Sequence, residues 1–247
     1  MPSQNNKLFR RCVIITAYLH GFIKDCLQIN EDDYIICADG GYDLAVAENI
    51  CPHMVLGDFD SAHKNSPLHQ LASNHEGEWD SENSLPKIIK FPVEKDDTDT
   101  MLALKHGVDL GFRNIIIIGG IGGRLDHTIA NLHALSYFLD YTPSDGEKET
   151  TTPSIWLLGQ KNKVTLIQSE ELIIHKQFPL RAGDFKLSLL SYTEQCTGIS
   201  ISGVQYPLKN ATLTQSFPLG VSNEVLEGSV ATISVKQGKL LVILSTD

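Results

Sequence analysis

Four acidic clusters in this 247-residue chain have the residue types that phosphate and metal chemistry needs: Asp39-Gly40-Gly41, Gly57-Asp58-Phe59-Asp60-Ser61, Asp96-Asp97-Thr98-Asp99 and Gly122-Gly123-Arg124-Leu125-Asp126-His127. Each follows a short apolar run. Strand-like alternation after Gly57 would point the Asp58 and Asp60 carboxylates along one face. Two carboxylates that close repel each other unless a cation lies between them. Hard oxygen donors favour magnesium, which keeps several waters and takes one or two carboxylates plus phosphate oxygens.

The run Gly119-Gly120-Ile121-Gly122-Gly123-Arg124 sits between a predicted strand and a predicted helix. Backbone N–H groups and the helix dipole can hold a phosphate there, and Arg124 could add a forked donor. It is not the dinucleotide fingerprint, because Leu125 stands where the third glycine would be, and G-x-x-x-x-G-K-[ST] is absent. Each cluster alone has a plainer explanation: Asp39-Gly40 as a turn, Thr98 or Asp97 as a helix N-cap, the glycines as a tight strand-to-helix turn. His127 and His133 lack the i, i+4 zinc spacing, and there is no C-x-x-C.

What argues for a site is where the clusters fall. Apolar runs at Cys12 to Ala17, Tyr34 to Ala38, Met54 to Leu56, Ile88 to Phe91, Ile115 to Ile118 and Ile155 to Leu158 predict buried strands alternating with helices. Met101, Leu104 and Val108 mark one helix, and Leu125, Ile129, Leu132, Ser136 and Leu139 mark the expected buried stripe of another. A mostly parallel α/β sheet binds ligands at the carboxyl ends of its strands, so all four clusters should meet on one rim. Ala62 to Pro86 is expected as an inserted loop and Asp140 to Pro153 as a connector.

After Gly159 the pattern changes to period two, at Thr197, Ile199 and Ile201 and from Val230 to Val235. The expectation is an α/β domain at 1–150 and an antiparallel β-sandwich at 151–247. Gln237-Gly238 is expected to close a tight hairpin between the run ending at Lys236 and Lys239 to Leu244.

Composition narrows the function. A net charge of −10 argues against nucleic acid as a partner. It also disfavours a free polyphosphate, but a magnesium-nucleotide can enter an acidic rim. No apolar run approaches the ~18 residues of a membrane span. The polar stretch Met1 to Arg11 does not read as a secretory signal, and the five cysteines read as reduced thiols, so a cytoplasmic location is expected.

Taken together the motifs resemble those of the thiamin pyrophosphokinase family, its bacterial branch in particular. Asp39-Gly40-Gly41, Gly57 to Ser61, Glu94 to Asp99 and Gly122 to His127 look like its nucleotide and magnesium motifs; Gly203-Val204-Gln205-Tyr206-Pro207-Leu208 and Gly220 to Glu224 look like its thiamin-side motifs. The resemblance implies transfer of diphosphate from ATP to thiamin, with AMP leaving, in a homodimer where one subunit's sandwich completes the other's site. By it, Asp58, Asp60 and Asp99 would organise Mg2+ and phosphates. Asp39, Gly40, Gly41, Asp96, Thr98 and Arg124 would place ATP, and Asp126 would lie near the transferred group. Ser222 and Asn223 would hydrogen-bond the thiamin pyrimidine, with Tyr206 packing on it. Two other readings compete: a magnesium-dependent phosphohydrolase using Asp58 and Asp60, and a non-catalytic sensor of thiamin or nucleotide.

Overall fold

A computed structural model describes residues 9–60, 65–73, 86–94, 96–141, 152–175 and 185–246. Six strands rich in isoleucine, valine and leucine run parallel: β1 (Arg11–Ile15), β2 (Asp33–Ala38), β3 (Met54–Gly57), β4 (Lys87–Lys90), β5 (Asn114–Ile118) and β6 (Ser154–Leu158). Their spatial order is β4-β3-β2-β1-β5-β6. Because the chain leaves β1 toward β2 but returns to its other side with β5, the loops after β1 and β5 part company. In a parallel sheet such a divergence is where a ligand crevice forms, at the carboxyl edge.

Helices cover both faces. The short helix α1 (Ile23–Cys26), α2 (Gly41–Ala47) and α3 (Pro67–Ser73) bury Ile23, Ala45 and Leu68 against one face. On the other, α4 (Asp99–Asp109) and α5 (Leu125–Asp140) bury Leu104 and Phe138 against Ile14, Ile117 and their neighbours. Part of the expected inserted loop is therefore helical. Leu68 is fully buried there and its N–H donates to Asp43 at 2.7 Å; 61–64 and 74–85 lie outside the described residues.

The stripe on α5 differs from the expected one. Asn131, Ala134, Leu135 and Phe138 are its buried residues, while Leu125 is 72% exposed and Ile129 is also exposed. Periodicity passed over Asn131 because it is polar. It is buried since its amide donates to the Gly120 carbonyl at 2.8 Å, tying the helix to the glycine-rich turn.

The second half is a sandwich that shares a sheet with the first. Strands β7 (Asn162–Gln168), β9 (Lys186–Ser191), β12 (Gly220–Asn223) and β14 (Lys239–Ser245) extend the parallel sheet beyond β6 by antiparallel pairing, making ten strands. Facing them are β8 (Glu171–His175), β10 (Gln195–Ser202), β11 (Leu208–Thr214) and β13 (Val230–Ser234). β6 lies beyond residue 150 yet pairs parallel with β5.

Two expectations about the sandwich change. β13 and β14 are not a hairpin: β13 pairs with β10 and β8, β14 with β7 and β9. The chain crosses between sheets at Val235 to Gly238, so Ile233 and Val242 enter one core from opposite layers. Thr197 is off the inward face because the β10–β11 register shifts between Cys196 and Ile199, where Gly198 takes φ 67.

Besides the shared sheet and the packing of Phe138 with Val164, Leu166 and Leu241, a polar contact ties the halves together. The Lys239 ammonium, at the start of β14, donates to Ser136 O, Ser136 Oγ and Asp140 Oδ2 at 2.7, 2.8 and 2.6 Å, gripping the last turn of α5.

Candidate active site

All four acidic clusters lie just past the carboxyl ends of parallel strands, so the rim expected from the sequence forms. Asp39 follows β2 and its N–H donates to Leu56 O on β3 at 2.8 Å. A Cβ placed on Gly57 would stand 3.3 Å from the Asp39 carboxylate, so the β3 exit and Asp39 are in contact. Gly41 opens α2 against the Ile15 carbonyl, where a Cβ would meet oxygen at 2.0 Å; only glycine lets α2 start so close to β1.

Asp58 and Asp60 are neighbours for a reason other than strand alternation. β3 ends at Gly57, and Phe59 then adopts φ 62 with its ring buried. This turn brings the Asp60 N–H to 3.1 Å from Asp58 Oδ1. The Asp60 carboxyl is raised above the ordinary carboxylate value, first by its hydrogen bond with Asp58, then by the charge of Asp58, burial and the charges of Asp39 and Asp99. Four carboxylates from two strand ends and the start of α4 thus share one field.

Thr98 serves as the N-cap of α4, its hydroxyl oxygen accepting the Met101 N–H at 3.2 Å, and it sets Asp99 in the first turn. That is the plainer reading of Thr98, and its hydroxyl proton remains available to a phosphate. Asp97 pairs with Lys105 at 2.6 Å.

On the far side of the crevice, Arg124 forks onto Asp126 with bonds of 3.1 and 2.5 Å. The Asp126 carboxyl falls to about 2, chiefly through the bond from Arg124, with the His127 N–H adding to it. Tyr18, which the sequence reading did not single out, backs this corner. Its ring lies 5.0 Å from that of His127, and a Cβ on Gly123 would meet it at 3.0 Å. Its position just after β1, beside the crevice, was the available signal.

A cavity of about 670 Å³ opens between α4 and α5. Asp96, Asp97, Thr98 and Asp126 lie at it, with Met101, Ile129, Ala130, His133, Ala134 and Tyr137 as the rest of its lining. The apolar residues were read from the sequence as helix face alone, since nothing in their types marks a cavity.

The sandwich residues form a separate group on the second half. Tyr206 is 64% exposed; Ser222 takes φ 63 and its N–H donates to Ser188 Oγ at 3.0 Å. Asn223 is bonded to the backbone of Tyr206. The side-chain hydrogen bonds that hold them run to Ser188, to Glu224 and to one another, all within the second half.

Fold and rim define a class: an α/β protein with an acidic, glycine-bordered site at its strand ends and a β-sandwich continuing its sheet. Comparison makes this specific. Residues 27–143 match the model of the thiamin pyrophosphokinase catalytic domain, and 177–240 that of the thiamin pyrophosphokinase vitamin B1 binding domain. A thiamine pyrophosphokinase of Bacillus subtilis (strain 168) is 29% identical over 212 residues, 86% of this chain and 87% of that one. The crystal structure of thiamine pyrophosphokinase from Bacillus subtilis superposes with a TM-score of 0.75 at 26% identity, covering 96% of this chain and 99% of that one. That of a thiamin pyrophosphokinase family protein from Enterococcus faecalis gives 0.71 at 25%, covering 96% and 99%. The chain belongs to the thiamin pyrophosphokinase family.

Proposed function

We infer that this chain transfers the diphosphate of ATP to the hydroxyl of thiamin, giving thiamin diphosphate and AMP. The observation that carries this reading is the convergence of Asp39, Asp58, Asp60 and Asp99 on one rim, in a chain matched by both domain models of the family. None of the matches supports the phosphohydrolase or sensor readings.

The donor set fits magnesium. Asp58, Asp60 and Asp99 offer hard carboxylate oxygens, and their mutual crowding is relieved by a cation. Among the described residues no group of three or more His, Cys, Asp or Glu could hold a metal by itself, so phosphate oxygens and water would complete the shell. When bound, the ion would neutralise charge developing on the transferred phosphates.

The chain's own residues contribute positioning. Asp39, Gly40 and Gly41 line the approach for the nucleotide, Asp96 and Thr98 stand at the mouth of the cavity, and Arg124 offers its fork to phosphate oxygens. Asp126, released when Arg124 turns to phosphate, and Asp99 are the two carboxylates placed to take the proton of the attacking hydroxyl. The cavity's Met101, Ile129 and Tyr137 suit a heterocycle, with its phosphates toward the carboxylates.

A homodimer fits two exposed apolar faces: Leu125 and Ile129 beside the rim, and Phe217, Leu219 and Val221 beside Ser222. One subunit's Tyr206, Ser222 and Asn223 would then complete the partner's site. The division at 1–150 and 151–247 is supported by the two matched ranges, although the sheet runs through it. Among the described residues no helix is long and apolar enough to cross a membrane, which is compatible with a cytoplasmic enzyme.

The test is to incubate the protein with ATP, magnesium and thiamin, omitting each in turn, and to quantify AMP and thiamin diphosphate. Equal yields that need all three support the reading. Phosphate released from simple phosphomonoesters without AMP would favour hydrolysis, and thiamin binding without turnover would favour a sensor.

A further inference from the structure

Asn223 ends the edge strand β12, and its side-chain amide is committed to backbone. Oδ1 accepts the N–H of Tyr206 at 3.0 Å and that of Glu224 at 2.9 Å, while Nδ2 donates to the Tyr206 carbonyl at 2.8 Å. Only this orientation works, since a flipped amide would set a donor against two N–H groups. The amide reads both polar groups of Tyr206, as a neighbouring strand would. On either side, the Gln205 N–H donates to Glu224 O and the Leu226 N–H to Gly203 O, at 2.9 and 3.0 Å. The backbone of Tyr206 is fixed while its side chain stays exposed.

Family resemblance gives Asn223 a different task, a direct hydrogen bond to the pyrimidine of thiamin. Both lone pairs of Oδ1 are already taken here, and one N–H of Nδ2 is left. A ligand claiming Oδ1 would displace backbone donors and leave them without a partner. We propose that Asn223 is a positioning residue: it holds the Tyr206 ring where it can stack on the substrate's aromatic ring, and acts on the substrate through Tyr206. This rests on the thiamin-transfer reading above.

The proposal is tested by a double-mutant cycle on thiamin KM with Asn223→Ala, Tyr206→Ala and the pair, each checked by circular dichroism. Either single change is expected to raise thiamin KM about tenfold and ATP KM less than about twofold, with the pair no worse than Tyr206→Ala alone. Multiplying effects would show that Asn223 touches the substrate itself and overturn the proposal. Asn223→Asp keeps the Oδ1 acceptor but sets an oxygen against the Tyr206 carbonyl; it should match Asn223→Ala, and a wild-type KM would also overturn the proposal. Should Asn223→Ala not fold, the same cycle is run with Asn223→Asp. Faster amide exchange at Tyr206 in the Asn223 variant is expected irrespective of turnover, and unchanged exchange counts against the proposal. If the unaltered chain forms no thiamin-dependent AMP, the transfer reading has failed, whatever the exchange shows.

Discussion

The backbone N–H of Asp60 donates to Oδ1 of Asp58 at 3.1 Å, across a turn that passes through Phe59 at φ 62. A buried aromatic residue in the left-handed region costs about 1 to 3 kcal/mol, and such strain gathers where a site needs it. Here it aims two carboxylates at the same space. Asp58→Asn keeps the shape and the acceptor but removes a charge. Transfer is expected to fall at least about a hundredfold with no loss of melting temperature. Near-normal turnover would remove Asp58 from the metal site.

Arg124 and Asp126 are both exposed, and their fork is a matter of geometry more than stability. Arg124→Lys keeps the charge and loses the planar fork. Turnover should drop about tenfold or more with the melting temperature unchanged. A lysine variant as active as the parent would mean that Arg124 contributes charge alone.

Lys239 joins the sandwich to the helix that carries Asp126. Lys239→Met removes three hydrogen bonds at the end of α5 and should cost about 1 to 3 kcal/mol, read from urea unfolding. A variant as stable as the parent would show that the shared sheet and the apolar packing of α5 hold the two halves together without this grip.

The second lysine of note, Lys163 on β7, is 2% exposed. Burial lowers its pKa from 10.5 to about 8. The unfolded chain therefore holds this proton more tightly than the native one, and stability should rise with pH between about 8 and 10.5 as the native lysine sheds its charge. Lys163→Met is expected to be more stable than the parent by about 2 kcal/mol near neutrality, with the gap closing toward about pH 10. Taking the difference between the two proteins cancels the opposing effect of the buried thiols Cys12 and Cys37, whose pKa values burial raises. A gap that does not change with pH would contradict the account.

The parallel strands were legible because continuous isoleucine, valine and leucine runs bounded by Gly and Asp have few other uses, and the rim followed from where those runs end. Three things were not legible. The buried face of α5 turns on Asn131, a polar residue whose burial depends on a carbonyl distant in sequence. The chain's passage between sheets at Gln237-Gly238 depends on which partners β13 and β14 find, and a local turn signal cannot specify that. The adjacency of Asp58 and Asp60 was read correctly for the wrong reason, since Phe59 leaves the strand conformation altogether. Tyr18 and the lining of the cavity were missed because their role lies in what they face.

The central claim is that a diphosphate moves as one unit from ATP at this rim. It is tested most directly with ATP radiolabelled in the β-phosphate, given to the protein with magnesium and thiamin. The account predicts that the label moves into thiamin diphosphate and that the AMP formed carries none. Label remaining in ADP, with thiamin monophosphate as the product, would contradict it by placing the attack on the γ-phosphorus.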